Sequence, residues 1–442
     1  TAKETPWRWL PTTYIGTGTA QAAIATLALL LYKQLGLGNA EITFYTGWLF
    51  LPWLLRPLWS PFVGLIRTPR WWIVAMQLML GVALGGVAFT IPTAHWLQGT
   101  LFFLVLLAFA LAIHETEADI FYHDTLGKAM RTGLAGMPGI FRLLAFIFVQ
   151  GFLVMVVGNL QLLYRNSISL SWSLVFYSVA GLFILAWLWH RTALPTPYNE
   201  SIHLLRKQQR CEQMTERWME VKKQVQTLFT QHTRQQLLAV FFFAFIFLFP
   251  EALTSKVVML FLVDANHNGG LGLSPQEFGL AFGTVGVVAL IAGSLISKNL
   301  IATKGLATCI LPISAALLFT NAFYIALSET QPTSLGVIAI SILLGQMGLG
   351  MVLSVFHEAL KTLANKLAQP VALVLLTSVL TLGQMLPSMF SGALQEWWGY
   401  NNLFLAAFIC GIISLAGCFW IKPMLQHEHN ENEKNKNGLE FF

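Results

Sequence analysis

The sequence predicts an all-α membrane protein with twelve transmembrane helices in two six-helix, pseudo-symmetric halves. Three observations lead there. Of the 442 residues, 56% are hydrophobic and only 10% are charged, and the mean hydropathy is +0.64; soluble proteins carry about 25% charged residues. The apolar residues gather into runs, each near the roughly 20 residues that cross a bilayer. One long charged stretch then divides those runs six and six.

The runs cover 10–33, 43–66, 71–92, 97–126, 132–162 and 169–190 before that stretch, and 235–263, 274–300, 304–327, 333–364, 368–395 and 400–422 after it. The start, Thr1-Ala2-Lys3-Glu4-Thr5-Pro6-Trp7, has no signal-peptide pattern, so the first run is expected to remain as a span. Basic residues set the orientation. With both termini in the cytoplasm, 21 of the 26 Lys and Arg fall in cytoplasmic segments, among them Lys3, Arg8, Arg67, Arg70, Lys128, Arg131 and eight in the central stretch. Only Lys33 and Arg165 fall outside, and Arg56, Arg142 and Lys256 lie within spans. This is the positive-inside bias. The net charge of +6 is therefore topological and implies no nucleic-acid partner.

These boundaries give an N-terminal bundle over 1–190, a cytoplasmic linker over 191–234, a C-terminal bundle over 235–423 and a disordered cytoplasmic tail over 424–442. In the linker, Leu204, Cys211, Trp218, Val221, Val225 and Leu228 fall at helical spacing among Arg206, Lys207, Arg210 and Glu212, which predicts an amphipathic helix along the inner leaflet. The tail is rich in Asn, Glu and Lys. The four cysteines show no CxxC or Cys/His spacing, so neither a metal nor a disulfide framework is expected. Before the eighth run, Ser274-Pro275-Gln276-Glu277 reads as a capping box with proline at the first helical position.

Within the fourth run stands His114-Glu115-Thr116-Glu117-Ala118-Asp119. A charge at the centre of a membrane helix costs roughly 2.5–3.5 kcal/mol, so such acids face protein, water or a partner and mark function. Glu115 and Asp119 are one turn apart and share a face, while Glu117 points nearly opposite, toward a structural or cytoplasm-facing role. Glu115 and Asp119 read as proton-coupling groups, with a static charge network between spans four and five as the alternative. His114 is a candidate shuttle or an interhelical tie. The cations at matching depth are Arg56 and Arg142, with Arg142 the preferred partner of Asp119 or a bidentate contact for an anionic substrate.

Phe249-Pro250-Glu251 breaks or kinks the seventh span, making Glu251 and Lys256 cavity candidates, unless Lys256 snorkels outward. Gly345, Gly348 and Gly350 interrupt span ten and Gly16 and Gly18 span one, for bending or close packing. Tyr122-His123-Asp124 near the end of span four is echoed by Phe356-His357-Glu358 in span ten, so His123, Asp124, His357 and Glu358 are candidate gate residues, or simply solvated helix ends.

Six spans on either side of a long basic linker is the layout of the major facilitator superfamily, whose sites lie between two repeats. Several segments then resemble the AmpG-like muropeptide permeases of that superfamily: Trp7-Arg8-Trp9-Leu10-Pro11-Thr12, Leu51 through Val63 with Arg56 inside it, Arg70-Trp71-Trp72, Phe261-Leu262-Val263-Asp264, Gly283-Thr284-Val285-Gly286, and Leu386-Pro387 through Trp397. The resemblance implies a proton-driven inner-membrane importer of anhydro-muropeptides or related muramyl amino sugars. It implies no cofactor beyond the proton gradient, no metal, and a monomer. Asp119 matches the family's membrane-embedded acid, Arg142 its span-five arginine, Glu251 and Lys256 its span-seven pair, and Arg56 a usual basic position. The chain departs from the family at Gly64, at Thr17 before Gly18 and at Gly345, where many relatives carry an acid. Alternatives are a transporter or exporter of another anionic molecule, and an integral-membrane transferase using His114 and Asp119.

Overall fold

The computed structural model describes residues 5–195, 210–367 and 370–437. Lys3, the linker residues Leu204, Arg206 and Lys207, and the end of the tail lie outside the described residues. The elements are α1 (Pro6–Gln34), α2 (Asn39–Leu54), α3 (Arg56–Ile66), α4 (Pro69–Thr90), α5 (Trp96–Thr125), α6 (Lys128–Leu163), α7 (Ile168–Ala193), α8 (Arg210–Gln231), α9 (Arg234–Val263), α10 (Pro275–Lys304), α11 (Leu306–Thr330), α12 (Leu335–Lys366) and α13 (Pro370–Asn437). Ten of the described helices are long and apolar enough to cross a membrane, or up to eleven with α2 and α3 taken as one bent span. The long α13 is two helices meeting at Gly399, whose φ of 78° and ψ of 168° are not helical. The described residues thus accommodate the twelve expected crossings.

Local chemistry explains where the helices start and bend. Thr68 caps α4, accepting from the Trp71 amide ahead of Pro69. At α10, Ser274 and Glu277 form the expected reciprocal cap: the Ser274 amide donates to Glu277 Oε2 at 2.9 Å, and the Glu277 amide donates to Ser274 Oγ at 3.3 Å. The second span breaks by 54° at Leu55, where Pro52 and Pro57 deprive neighbouring turns of amide donors. Span seven is interrupted at Leu248, just before Pro250, without so sharp a bend. Span ten does not. Its glycines sit inside one continuous helix, Leu335–Lys366, so close packing rather than interruption is their role.

The chain forms two compact units. One comprises Thr1–Glu220 with Leu273–Thr284, the other Val221–Gly272 with Val285–Phe442. The first turns of α10 join the first unit because backbones there touch. A Cβ on Gly283 would collide with the Gln150 carbonyl, so only glycine permits that approach. In the first unit α4 packs along both α5 and α7, and α1 along α6. A buried cluster of Trp9, Tyr14, Phe121, Tyr122 and Leu194 fills one end of that unit. In the second unit α9 packs on α13 and α10 on α12, around a core in which the Phe247 and Phe356 rings stack at 4.7 Å.

The linker helix α8 carries Trp218, whose ring lies 5.2 Å from that of Phe62, and Leu228, which is buried in the second unit's core. Past Leu425 the expected tail continues as helix to Asn437. Extending a formed helix needs no new nucleus, so the polar sequence Met424–Asn437, without Gly or Pro, can follow on.

Candidate functional site

The first unit gathers four of its polar side chains around Arg142. Gly18 makes this possible, since a Cβ there would collide with the Arg142 backbone and hold α1 away from α6. Arg142 then reaches two acids of α5 at once: Nη2 lies 3.0 Å from Asp119 Oδ1 and Nη1 lies 3.1 Å from Glu115 Oε1. The two carboxylates stand one turn apart, so the planar guanidinium fork spans them. Tyr14 Oη donates to Asp119 Oδ1 at 3.0 Å, and its ring lies 5.1 Å beneath the guanidinium carbon. Trp53 Nε1 donates to Glu115 Oε2 at 2.9 Å.

Exposure separates the two acids. The Asp119 side chain is 44% exposed, that of Glu115 only 12%, and that of Arg142 23%. Asp119 is therefore the member open to water or a ligand, while Glu115 is enclosed between Arg142 and Trp53. Protonating either carboxyl weakens its hold on Arg142 and leaves the guanidinium to the other acid. That is the chemistry of a proton-dependent charge switch.

The other sequence candidates divide. Arg56 begins α3 immediately after the break and makes neither an ion pair nor a hydrogen bond among the described residues. His114 is fully buried; its Nδ1 lies 3.3 Å from Thr17 Oγ1, and its Nε2 has no partner among the described residues. Because the Thr17 hydroxyl donates to the Thr13 carbonyl at 3.1 Å, His114 Nδ1 carries the donating proton. Glu117 does not face the cytoplasm. It is completely buried, with both carboxyl oxygens unpartnered among the described residues. The proposed gate residues are exposed in their own units: His123 accepts from Arg131 Nη1 at 3.0 Å, His357 lies 2.7 Å from the Leu353 carbonyl, and Asp124 and Glu358 are exposed on their helices.

In the second unit Glu251 lies in the first turn after the α9 break, within electrostatic reach of Tyr324. Tyr324 is itself buried and accepts from Gln346 Nε2 at 3.3 Å. Lys256 is 7% exposed, so it does not snorkel outward. Five residues separate it from Glu251, about 140° around a helix, so the two do not share a face. Among the described residues no group of three or more His, Cys, Asp or Glu could hold a metal ion.

Sequence reasoning missed Tyr14 and Trp53. Trp53 carried a usable signal, since it precedes Arg56 by three residues and shares its face in the middle of a span. Tyr14 had none, because a tyrosine in an apolar run is most often core.

No family model matches the chain, and no curated protein matches it in sequence. Solved structures do. The chain is similar to a bacterial homolog of the human lysosomal transporter Spinster, with TM-score 0.67 and 15% identity over 95% of this chain and 97% of that one. It is similar to a D-xylose-proton symporter, with TM-score 0.66 and 12% identity over 94% and 96%. It is also similar to the nucleoside transporter NupG, with TM-score 0.69 and 12% identity over 94% and 99%. Over such coverage these likenesses establish the fold: the chain shares the all-helical architecture of these transporter structures.

Proposed function

We propose that the chain is a proton-coupled importer of cell-wall recycling products, working by alternating access in a bacterial inner membrane with both termini in the cytoplasm. The observation that carries the coupling is Arg142 held between Asp119 and Glu115. A cation shared by two acids of unequal exposure links proton uptake at Asp119 to the grip of α6 on α5. One structural neighbour is by its name a proton symporter of a sugar. That supports, by analogy of fold, the same driving force here.

The substrate class rests on the AmpG-like segments, which run from the first span to the last. Muramyl fragments are amino sugars with a carboxylate-bearing arm. Glu251, Lys256, Tyr324 and Gln346 in the second unit offer the mixed charged and hydroxyl chemistry such a ligand needs. No cofactor is required, and the monomer is the working unit.

Uptake of radiolabelled anhydro-muropeptide and of GlcNAc-anhydroMurNAc into vesicles, with and without an imposed proton gradient, tests this reading. Gradient-dependent accumulation of either supports it. Accumulation of neither, with movement of another anionic solute or outward transport, gives the protein to the alternative reading of an anion transporter or exporter.

A further inference from the structure

The charge switch at Arg142 leaves a third acid of α5 unused. Glu117 is completely buried, and neither of its carboxyl oxygens has a partner among the described residues. It lies about 160° around the helix from both Glu115 and Asp119. Arg142 pairs with those two acids and not with Glu117. An ionisable side chain at this depth is costly and marks function, since a neutral side chain of the same size would avoid the cost.

Burial without a partner sets its protonation state. A carboxylate taken out of water with nothing to bond is so unfavourable that the group keeps its proton. Glu117 is accordingly a neutral acid in this conformation, and it stays so until a cation approaches.

Arg56 of α3 is such a cation. It lies within electrostatic reach of Glu117 and of Asp119. It is only partly buried and makes neither an ion pair nor a hydrogen bond among the described residues. It directly follows Leu55, where the second span turns by 54°, so a rotation at that break re-aims its side chain without moving α5. The other titratable groups on α5 and its neighbours are engaged, exposed or of the wrong sign. Asp124 stands two turns on along the same face of α5, and His114, one turn back, is tied to Thr17. Tyr14 of α1 donates to Asp119, and Arg8 stacks on Trp189. Arg70 of α4 donates to the Leu194 and Arg191 carbonyls. On α6, Arg131 donates to His123 and Lys128 is exposed in the first turn. His190 of α7 is held between Thr12 and Gln77.

We propose that Glu117 is a second proton carrier of the transport cycle, neutral here and discharged when α3 turns about Leu55 and brings Arg56 against it. In that step the carboxyl O–H gives its proton to water, and the carboxylate left behind forms an ion pair with Arg56. Reprotonation breaks the pair and returns Arg56 to its free position. The proposal rests on the proton-coupled reading and deepens it: one proton travels with Asp119 and another with Glu117 for each substrate moved.

Two measurements on the full chain in proteoliposomes test it. Without substrate, the infrared C=O stretch of a neutral carboxyl reports Glu117 directly. Wild type at neutral pH should show that band, Asp119→Asn should keep it and Glu117→Gln should lose it. No such band in wild type, or one undiminished in Glu117→Gln, overturns the proposal whatever the cargo proves to be. The second measurement uses GlcNAc-anhydroMurNAc as the probe, at zero membrane potential and a gradient of about one pH unit, where each coupled proton multiplies accumulation by about ten. Glu117→Gln should accumulate about tenfold less than wild type, with half the protons per substrate. Arg56→Met should show the same loss while keeping the infrared band, and Arg56→Lys should restore the ratio. A wild-type ratio in Glu117→Gln or in Arg56→Met overturns the proposal. Absence of uptake by wild type counts against the transport reading instead, and the infrared result then decides the state of Glu117.

Discussion

Arg142 has two acidic partners, and their joint removal should cost more than the sum of the separate removals. Glu115→Gln and Asp119→Asn each keep an oxygen that accepts from the guanidinium, and each leaves one carboxylate within 3.1 Å. At about 4 Å between charge centres and an effective dielectric constant near 20, one such attraction is about 4 kcal/mol. Solvent at the half-open Asp119 and the surviving partner reduce the net loss to about 1 kcal/mol per single variant. The double variant leaves a guanidinium in the membrane with no compensating charge, a loss of about 3–5 kcal/mol. The coupling energy is then about 1–3 kcal/mol, in the range for residues sharing one network. Thermal unfolding of the detergent-purified protein reads it. Each single variant should lower Tm by about 1 °C, and the double by about 3–5 °C. Strictly additive losses would show that Arg142 does not bridge the two acids, and would remove the shared-cation switch.

Other consequences follow from the same geometry. Trp53→Phe deletes the indole donor to Glu115 and should destabilise the protein by about 1.5–3 kcal/mol, with the loss disappearing in a Glu115→Ala background; equal losses in both backgrounds would deny the bond any role. Gly18→Leu forces α1 away from the Arg142 backbone and should abolish uptake while Gly16→Ala leaves it intact, measured as initial uptake rates at matched membrane expression. Arg142→Lys should retain more uptake than Arg142→Ala if charge pairing dominates; equal losses would favour a bidentate fork on carboxylates of the protein or of the substrate.

Much of the architecture was legible because a bilayer leaves few options. Every backbone amide must be satisfied within a span, so long apolar runs become helices and basic residues collect at their ends. The break before Glu251 was legible from Pro250 for the same reason. The bend at Leu55 was equally encoded in Pro52 and Pro57, yet hydropathy reads straight through it. At the charge cluster, helical spacing puts Glu115 and Asp119 on one face, and matched depth selects Arg142. Depth alone selected Arg56 just as well. What separates them is a tertiary fact, the start of a new helix at Arg56, which the pattern of apolar residues does not contain. Glu117 shows the limit in reverse, because the face opposite the cluster proved to be protein interior rather than water. The joining of Leu273–Thr284 to the first unit depends on backbone contact at Gly283, and a glycine in an apolar run does not announce which partner it admits.

The central claim is that a proton taken up at Asp119 drives the substrate across the membrane. Wild-type and Asp119→Asn proteins, reconstituted into vesicles loaded with a pH-sensitive dye, should be compared for substrate-induced proton flux and for substrate exchange at equal pH. Wild type should move protons with substrate, whereas Asp119→Asn should lose both proton flux and accumulation while still exchanging substrate. Undiminished proton flux and full accumulation by Asp119→Asn would contradict the account.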